Sequence, residues 1–187
     1  MTIPGDLILV TGPSGVGKST ITEQLHQRLA TPDWLLWQAD RCSPPNNPVT
    51  SSLTQHQARA LDARKFAADI AAIAAYLNHG WSVVAELTVM SAAEAAAVHD
   101  LAPARSLIIQ LDCSPQTLAA HLRQRDTPVP DEWAASVYSS WQEVDLQQAI
   151  RIDVDRRTAH DVVGQIARTW TDSDPDRHPE DDCANSG

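Results

Sequence analysis

The stretch Gly12-Pro13-Ser14-Gly15-Val16-Gly17-Lys18-Ser19 satisfies the pattern G-x-x-x-x-G-K-[ST] at every fixed position, and each fixed residue type has a chemical reason. Glycines let successive backbone N–H groups turn inward without a Cβ in the way, so the loop wraps a phosphate chain and sets it at the positive end of the helix that follows. The Lys18 ammonium would reach the β- and γ-phosphates of a nucleotide, and the Ser19 hydroxyl would ligate Mg²⁺. With glycine near 7% of an average protein, the fixed positions coincide by accident in roughly one per cent or less of chains this long. Gly12, Pro13, Ser14, Gly15, Val16, Gly17, Lys18, Ser19 and Thr20 are therefore the expected nucleotide contacts.

A phosphate loop of this kind works only between a strand and a helix. Leu7-Ile8-Leu9-Val10 is a short apolar run suited to a buried parallel strand, and Ile21, Leu25 and Leu29 recur at helical spacing after the loop. Further along, Trp34 to Ala39 reads as a second strand ending at Asp40, and the Pro-, Asn- and Ser-rich segment from Arg41 reads as an irregular loop. Gln55 to Asn78 predicts a long alanine-rich helix stopped by Gly80. Trp81 to Leu87 predicts a third strand, Ala92 to Asp100 a helix, and Arg105 to Asp112 a fourth strand. Ser114 and Pro115 supply the cap and first residue of a helix running to about Arg125, where residues 126–131 break it. Glu132 to Leu146 predicts another helix, Ala149 to Val154 a fifth strand, and Thr158 to Trp170 a last helix. This alternation implies a three-layer α/β fold: a five-stranded parallel sheet of order 2-3-1-4-5 with helices on both faces and the ligand at the carboxyl ends of the strands.

Composition narrows the function classes. A chain of 187 residues can bury a core for one domain, expected over residues 1–170. Cys42, Cys113 and Cys183 are odd in number and widely spaced, which argues against a disulfide framework or a structural zinc site. No apolar run approaches membrane-spanning length, so a cytoplasmic protein is expected. The net charge of −10 disfavours nucleic-acid partners, because an acidic surface repels a phosphate backbone. Half of that excess lies from Thr171 onward, where six acids face one arginine with almost nothing apolar, so residues 171–187 are expected to form a disordered acidic tail.

Among phosphate-loop proteins, GTPases are disfavoured because the guanine-reading N-K-x-D pattern is absent. Large ATPases need more chain than this. The sequence resembles the small P-loop kinases of the chloramphenicol phosphotransferase-like type, related more distantly to shikimate, gluconate and nucleoside monophosphate kinases. Beside the phosphate loop, the resemblance rests on an Asp closing strand two, an acid closing strand three, Leu111-Asp112-Cys113-Ser114-Pro115 before an arginine-bearing helix, and Ile152-Asp153-Val154-Asp155 before the final helix, and it covers most of residues 5 to 170. It implies ATP and Mg²⁺ as cofactors, Asp40 near the accepting hydroxyl, and fourth-helix arginines guarding a lid over the phosphates. Here that helix offers Arg123 and Arg125, with Arg151, Arg156 and Arg157 later in the chain.

Phosphoryl transfer asks for positioning, charge stabilisation and a carboxylate that orients or deprotonates the acceptor. Asp40, where strand two leaves the sheet, suits the last role. Glu86 interrupts an apolar strand beside the loop and suits Mg²⁺, held through water, or the acceptor. Arg125 suits the transferred phosphoryl group. Trp37, and Trp133 or Trp141 near the lid, are aromatic pocket candidates, whereas Trp34, Trp81 and Trp170 belong with packed elements. His26, His121 and His160 show no partner in the sequence and carry no assigned role. The expected activity is ATP-dependent transfer of the γ-phosphate to a hydroxyl of a small molecule, an antibiotic or other secondary metabolite among the options. A nucleoside or nucleotide kinase and a P-loop switch are the alternatives, and a homodimer is compatible with the sequence.

Overall fold

The computed structural model describes residues 4–29, 31–42, 53–103, 105–124 and 131–173. Strand β1 (Leu7–Thr11) has every residue buried, as expected of a central strand covered on both faces. It pairs in parallel with β3 (Ser82–Glu86) on one side and β4 (Ser106–Asp112) on the other, while β2 (Trp34–Gln38) and β5 (Ile150–Asp153) form the edges. The order is β2-β3-β1-β4-β5, all parallel. This is the sheet the sequence predicts.

Parallel neighbours need crossovers, and the intervening helices α1 (Lys18–Leu29), α2 (Gln55–Asn78), α3 (Ala92–Leu101), α4 (Pro115–Arg123), α5 (Asp131–Gln142) and α6 (Ala159–Asp172) supply them. The two-residue period of the strands divides their side chains between two cores. Ile8, Val10, Val84, Ile109 and Ile152 meet Ile21 and Leu25 of α1, Leu118 and Leu122 of α4, and Val162, Val163 and Ile166 of α6. Leu7, Leu9, Val83, Ala85 and Ile108 meet Phe66, Ile73 and Leu77 of α2, Val98 of α3 and Trp141 of α5.

The helix starts obey capping chemistry. Thr54, Ser91, Ser114 and Thr158 each accept a backbone N–H from the first turn of α2, α3, α4 and α6, and Pro115 occupies the first turn of α4. Most boundaries differ from the sequence reading by a residue or two, and two of the shifts bear on packing and on the tail. Helix α5 ends at Gln142 rather than Leu146, because Val144 N–H closes a turn on the Trp141 carbonyl (3.1 Å) and Val144 and Leu146 are buried as separate loop anchors. Helix α6 continues past Trp170 to Asp172, with the Ser173 N–H bonded to the Thr169 and Thr171 carbonyls. The tail expected at 171–187 therefore begins inside a helix, and residues 174–187 lie outside the described residues. Among the described residues no helix is long and apolar enough to cross a membrane.

Trp170 fastens α6 across the amino end of the sheet. Its ring meets Trp34 edge-on at 5.6 Å between centroids, and the Arg105 guanidinium lies 4.1 Å over its face while pairing with Asp6 at 3.0 Å. Replacing Trp170 with alanine should cost about 3–5 kcal/mol, since the side chain is buried and its stack is lost. That corresponds to a fall in thermal midpoint of roughly 6 to 20 °C, measurable by calorimetry.

Candidate active site

At the carboxyl end of β1 the chain leaves Thr11 and turns through Gly12–Gly17 into α1. Gly15 and Gly17 have φ of +99° and +103°, in the left-handed half of backbone space where a Cβ is strained. Around Gly17 nothing lies within 4 Å of an added Cβ, so backbone conformation alone selects glycine there. Val16 drops its side chain into the core, and its N–H donates to the Pro13 carbonyl at 3.2 Å. The loop is thereby fixed from below.

Above it is a cavity of about 200 Å³ lined by Ser14, Gly15, Gly17, Lys18, Ser19, Thr20 and Glu86. The first N–H groups of α1 and its dipole meet there, and no acidic residue in the first turn opposes an anion. Lys18 is 5% exposed, and its Nζ donates to the carbonyls of Gly12 (3.0 Å) and Pro13 (3.2 Å). Of the nine predicted nucleotide contacts, Gly12, Pro13 and Val16 do not line the cavity. Their part is to shape the loop and hold the lysine.

Glu86 is the last residue of β3 and stands in register with Val10 of β1, which sets it against the loop. It is 2% exposed and accepts the Ser19 hydroxyl proton at 3.0 Å, so it is a buried member of the site and no solvated strand end. Opposite it on β2 is Gln38, also buried, whose Nε2 donates to the Ser19 carbonyl (3.2 Å) and to Thr22 Oγ1 (3.4 Å). Gln38 ties β2 to the first turn of α1. Its Oε1 is buried without a hydrogen-bond partner. The sequence carried one overlooked signal for it, a polar residue closing the apolar run two positions before Asp40. Hydroxyl, carboxylate and carboxamide oxygens are the hard donors that Mg²⁺ prefers, and the buried, unpaired Oε1 suits a proton from metal-bound water. The donor set fits that ion.

The other expected residues are less closely gathered. Asp40 has its backbone in the 3-10 turn Ala39–Cys42 directly after β2, and its side chain is outside the described set. An exposed ion pair between Arg41 and Glu23 links that turn to α1. Arg123 closes α4 in an exposed position, whereas Arg125, the rest of the lid and residues 43–52 of the expected acceptor loop lie outside the described residues. Arg157 is engaged with Gln165 of α6 at 2.8 Å. Trp141 is corrected from pocket to core: it is 1% exposed and belongs to the same buried cluster as Leu9, Ala85 and Leu146. Trp37 is half-buried beside Tyr76, at 6.3 Å between ring centroids, and the Trp133 side chain is outside the described set. Trp81, expected with the packed elements, is 41% exposed.

Two histidines without an assigned role have partners. His26 bonds the Trp34 carbonyl at 3.0 Å, and His121 Nδ1 reaches the Gly15 carbonyl of the phosphate loop at 3.1 Å. Asp161-Val162-Val163-Gly164 has the D-x-x-G spacing of a GTPase switch but forms the first turns of α6, where Asp161 completes the capping box.

At the carboxyl end of β4, Cys113 is buried in the core, and burial together with Asp155, Asp112 and Asp153 pushes its thiol up to about 12. Alkylation proceeds through the thiolate, whose fraction at neutral pH is then roughly 10³-fold below that of a free cysteine. Peptide mapping after iodoacetamide treatment should show Cys113 unmodified in the folded protein and modified in denaturant.

Comparison with known proteins agrees with the fold. The profile of the AAA domain family matches residues 7–144. No curated protein sequence matches the chain. Among solved structures, a gluconokinase from Sinorhizobium meliloti 1021 superposes with a TM-score of 0.65 at 21% identity, over 92% of this chain and 97% of that one. A shikimate kinase from Bacteroides thetaiotaomicron does so at 0.63 and 15%, over 89% and 98%. The tunicamycin resistance protein of Deinococcus radiodurans gives 0.60 and 14%, over 88% and 95%. A profile match spanning four of the five strands and the phosphate loop makes this chain a member of the AAA domain family, in the fold it shares with the P-loop kinases.

Proposed function

We propose that the protein is an ATP-dependent phosphotransferase that moves the γ-phosphate of ATP to a hydroxyl of a small molecule. The observation that carries this reading is the cradle itself, with Lys18 held over the loop and Ser19 bonded to Glu86 at the carboxyl edge of the sheet. Gly15, Gly17 and the start of α1 would bind the phosphates through backbone N–H groups. Lys18 would turn from the loop carbonyls to the β- and γ-phosphates and offset charge growing on the transferred group. Ser19 and Glu86 would hold Mg²⁺, most of whose ligands would be phosphate and water oxygens. When bound, the ion supplies Lewis-acid stabilisation of the phosphoryl oxygens. Asp40 would orient the acceptor hydroxyl or take its proton, and Arg123 or Arg125 would cover the phosphates.

Gluconokinase, shikimate kinase and the tunicamycin resistance protein share the fold, which supports a screen with sugars, hydroxy acids and hydroxylated antibiotics. A thymidylate kinase from Candida albicans shares it too, with a TM-score of 0.65 at 15% identity, so nucleoside monophosphates join the screen. Acceptor-dependent release of ADP in the presence of ATP and Mg²⁺ tests the proposal. ATP consumption that no acceptor stimulates would favour a nucleotide-binding switch instead. Glu86→Gln should raise the Mg²⁺ concentration for half-maximal turnover by roughly tenfold, the scale of a lost charge-assisted contact. An unchanged Mg²⁺ dependence would remove Glu86 from the metal site.

A further inference from the structure

We infer that His121 is a positioning residue for the phosphate loop: from α4 it holds the Gly15–Val16 peptide in the orientation that binds nucleotide. The inference rests on the reading of that loop as the nucleotide site and adds a residue the loop motif does not contain. Gly15 O is an acceptor, so His121 Nδ1 must carry the hydrogen and donate it across the 3.1 Å contact. The same peptide is held at its other end, since the Val16 N–H donates to the Pro13 carbonyl at 3.2 Å. One peptide plane, between the cradle residues Gly15 and Gly17, is thus fixed from both sides.

The helix that supplies the histidine is firmly placed. Leu118 and Leu122 of α4 are each 1% exposed and share a core with Val16. A Cβ built on Gly15 would come within 2.7 Å of Leu122 Cδ2 and 3.5 Å of Leu118 Cδ1, so α4 lies directly against the loop. The start of α4 is anchored in turn by the Ser114 N–H bonded to both carboxylate oxygens of Asp155, at 3.1 and 3.2 Å. Support therefore passes from the β5 end through α4 to the glycine loop. Such support matters because a loop with three glycines loses much backbone entropy when it closes on a phosphate chain, and holding a peptide beforehand reduces that loss.

His121→Ala should raise the dissociation constant of ATP roughly three- to tenfold, the range of one hydrogen bond. The thermal midpoint of the nucleotide-free protein should stay nearly unchanged, as the His121 side chain is exposed. His121→Asn should restore binding to within about twofold, because Asn Nδ2 stands as many bonds from the backbone as His Nδ1 and can donate to the same carbonyl. Amide exchange at Val16, followed by NMR without nucleotide, should quicken in His121→Ala and return in His121→Asn. A His121→Ala protein that binds ATP like the wild type, an Asn variant as impaired as the Ala variant, or unaltered exchange at Val16 would each overturn the inference. Failure of the wild type to bind ATP would overturn the nucleotide reading instead, and the exchange data would still decide whether His121 braces the loop.

Discussion

Replacing Lys18 with alanine should lower acceptor-dependent phosphoryl transfer by at least roughly 10²–10³-fold, the effect of deleting one preorganised donor to a developing charge. The lysine begins α1, is nearly buried, and points back across the loop to the Gly12 and Pro13 carbonyls, which keeps its ammonium at the mouth of the cradle. Removal leaves the fold standing, because the loop remains anchored by Val16 and the first turn of α1 by Gln38. Circular dichroism should therefore match the wild type, with the two loop carbonyls turning to water at a cost of about 1–3 kcal/mol. Turnover that survives in a folded Lys18→Ala protein would take the phosphate loop out of the mechanism.

The second large effect belongs to Asp40. If its carboxylate orients the acceptor hydroxyl or takes its proton, Asp40→Asn keeps the shape and loses the base. Turnover should then fall by roughly 10²–10⁴ while the dissociation constant of ATP holds. A residue that merely capped the end of β2 would behave otherwise, lowering stability by about 1 kcal/mol and leaving the rate per folded molecule nearly intact. The proposed function expects the first outcome. The 3-10 turn leaves β2 directly after Gln38, which is in register with Glu86, and an exposed Arg41–Glu23 ion pair links it to the helix that carries Lys18 and Ser19. Retention of more than about a third of wild-type turnover would sink the base assignment.

Much of this architecture is legible in the sequence, for local reasons. Leu7-Ile8-Leu9-Val10 had to be a doubly covered strand because nothing polar interrupts it, and the glycine loop then fixed both the following helix and the end of the sheet where a ligand sits. Ser114-Pro115 announced α4 because capping is a contact between near neighbours. What the sequence hid is non-local. Trp141 looks like any tryptophan near a lid until the fold gathers it into one buried cluster with Leu9 and Leu146. Gln38 and His121 gain their partners only when β2 and α4 come to lie against α1 and the loop, across separations of 19 and 106 residues. No window of sequence joins those positions. Glu86 was legible as a polar break in an apolar strand, but its burial against Ser19 follows from the register of β3 with β1.

The most direct measurement is phosphorus NMR of the products formed from ATP, Mg²⁺ and a panel of hydroxylated sugars, acids, antibiotics and nucleosides. The proposed activity predicts a new phosphate-monoester resonance with one acceptor class, growing in step with ADP and missing in Lys18→Ala. ADP accompanied only by inorganic phosphate, at a rate no acceptor changes, would contradict it.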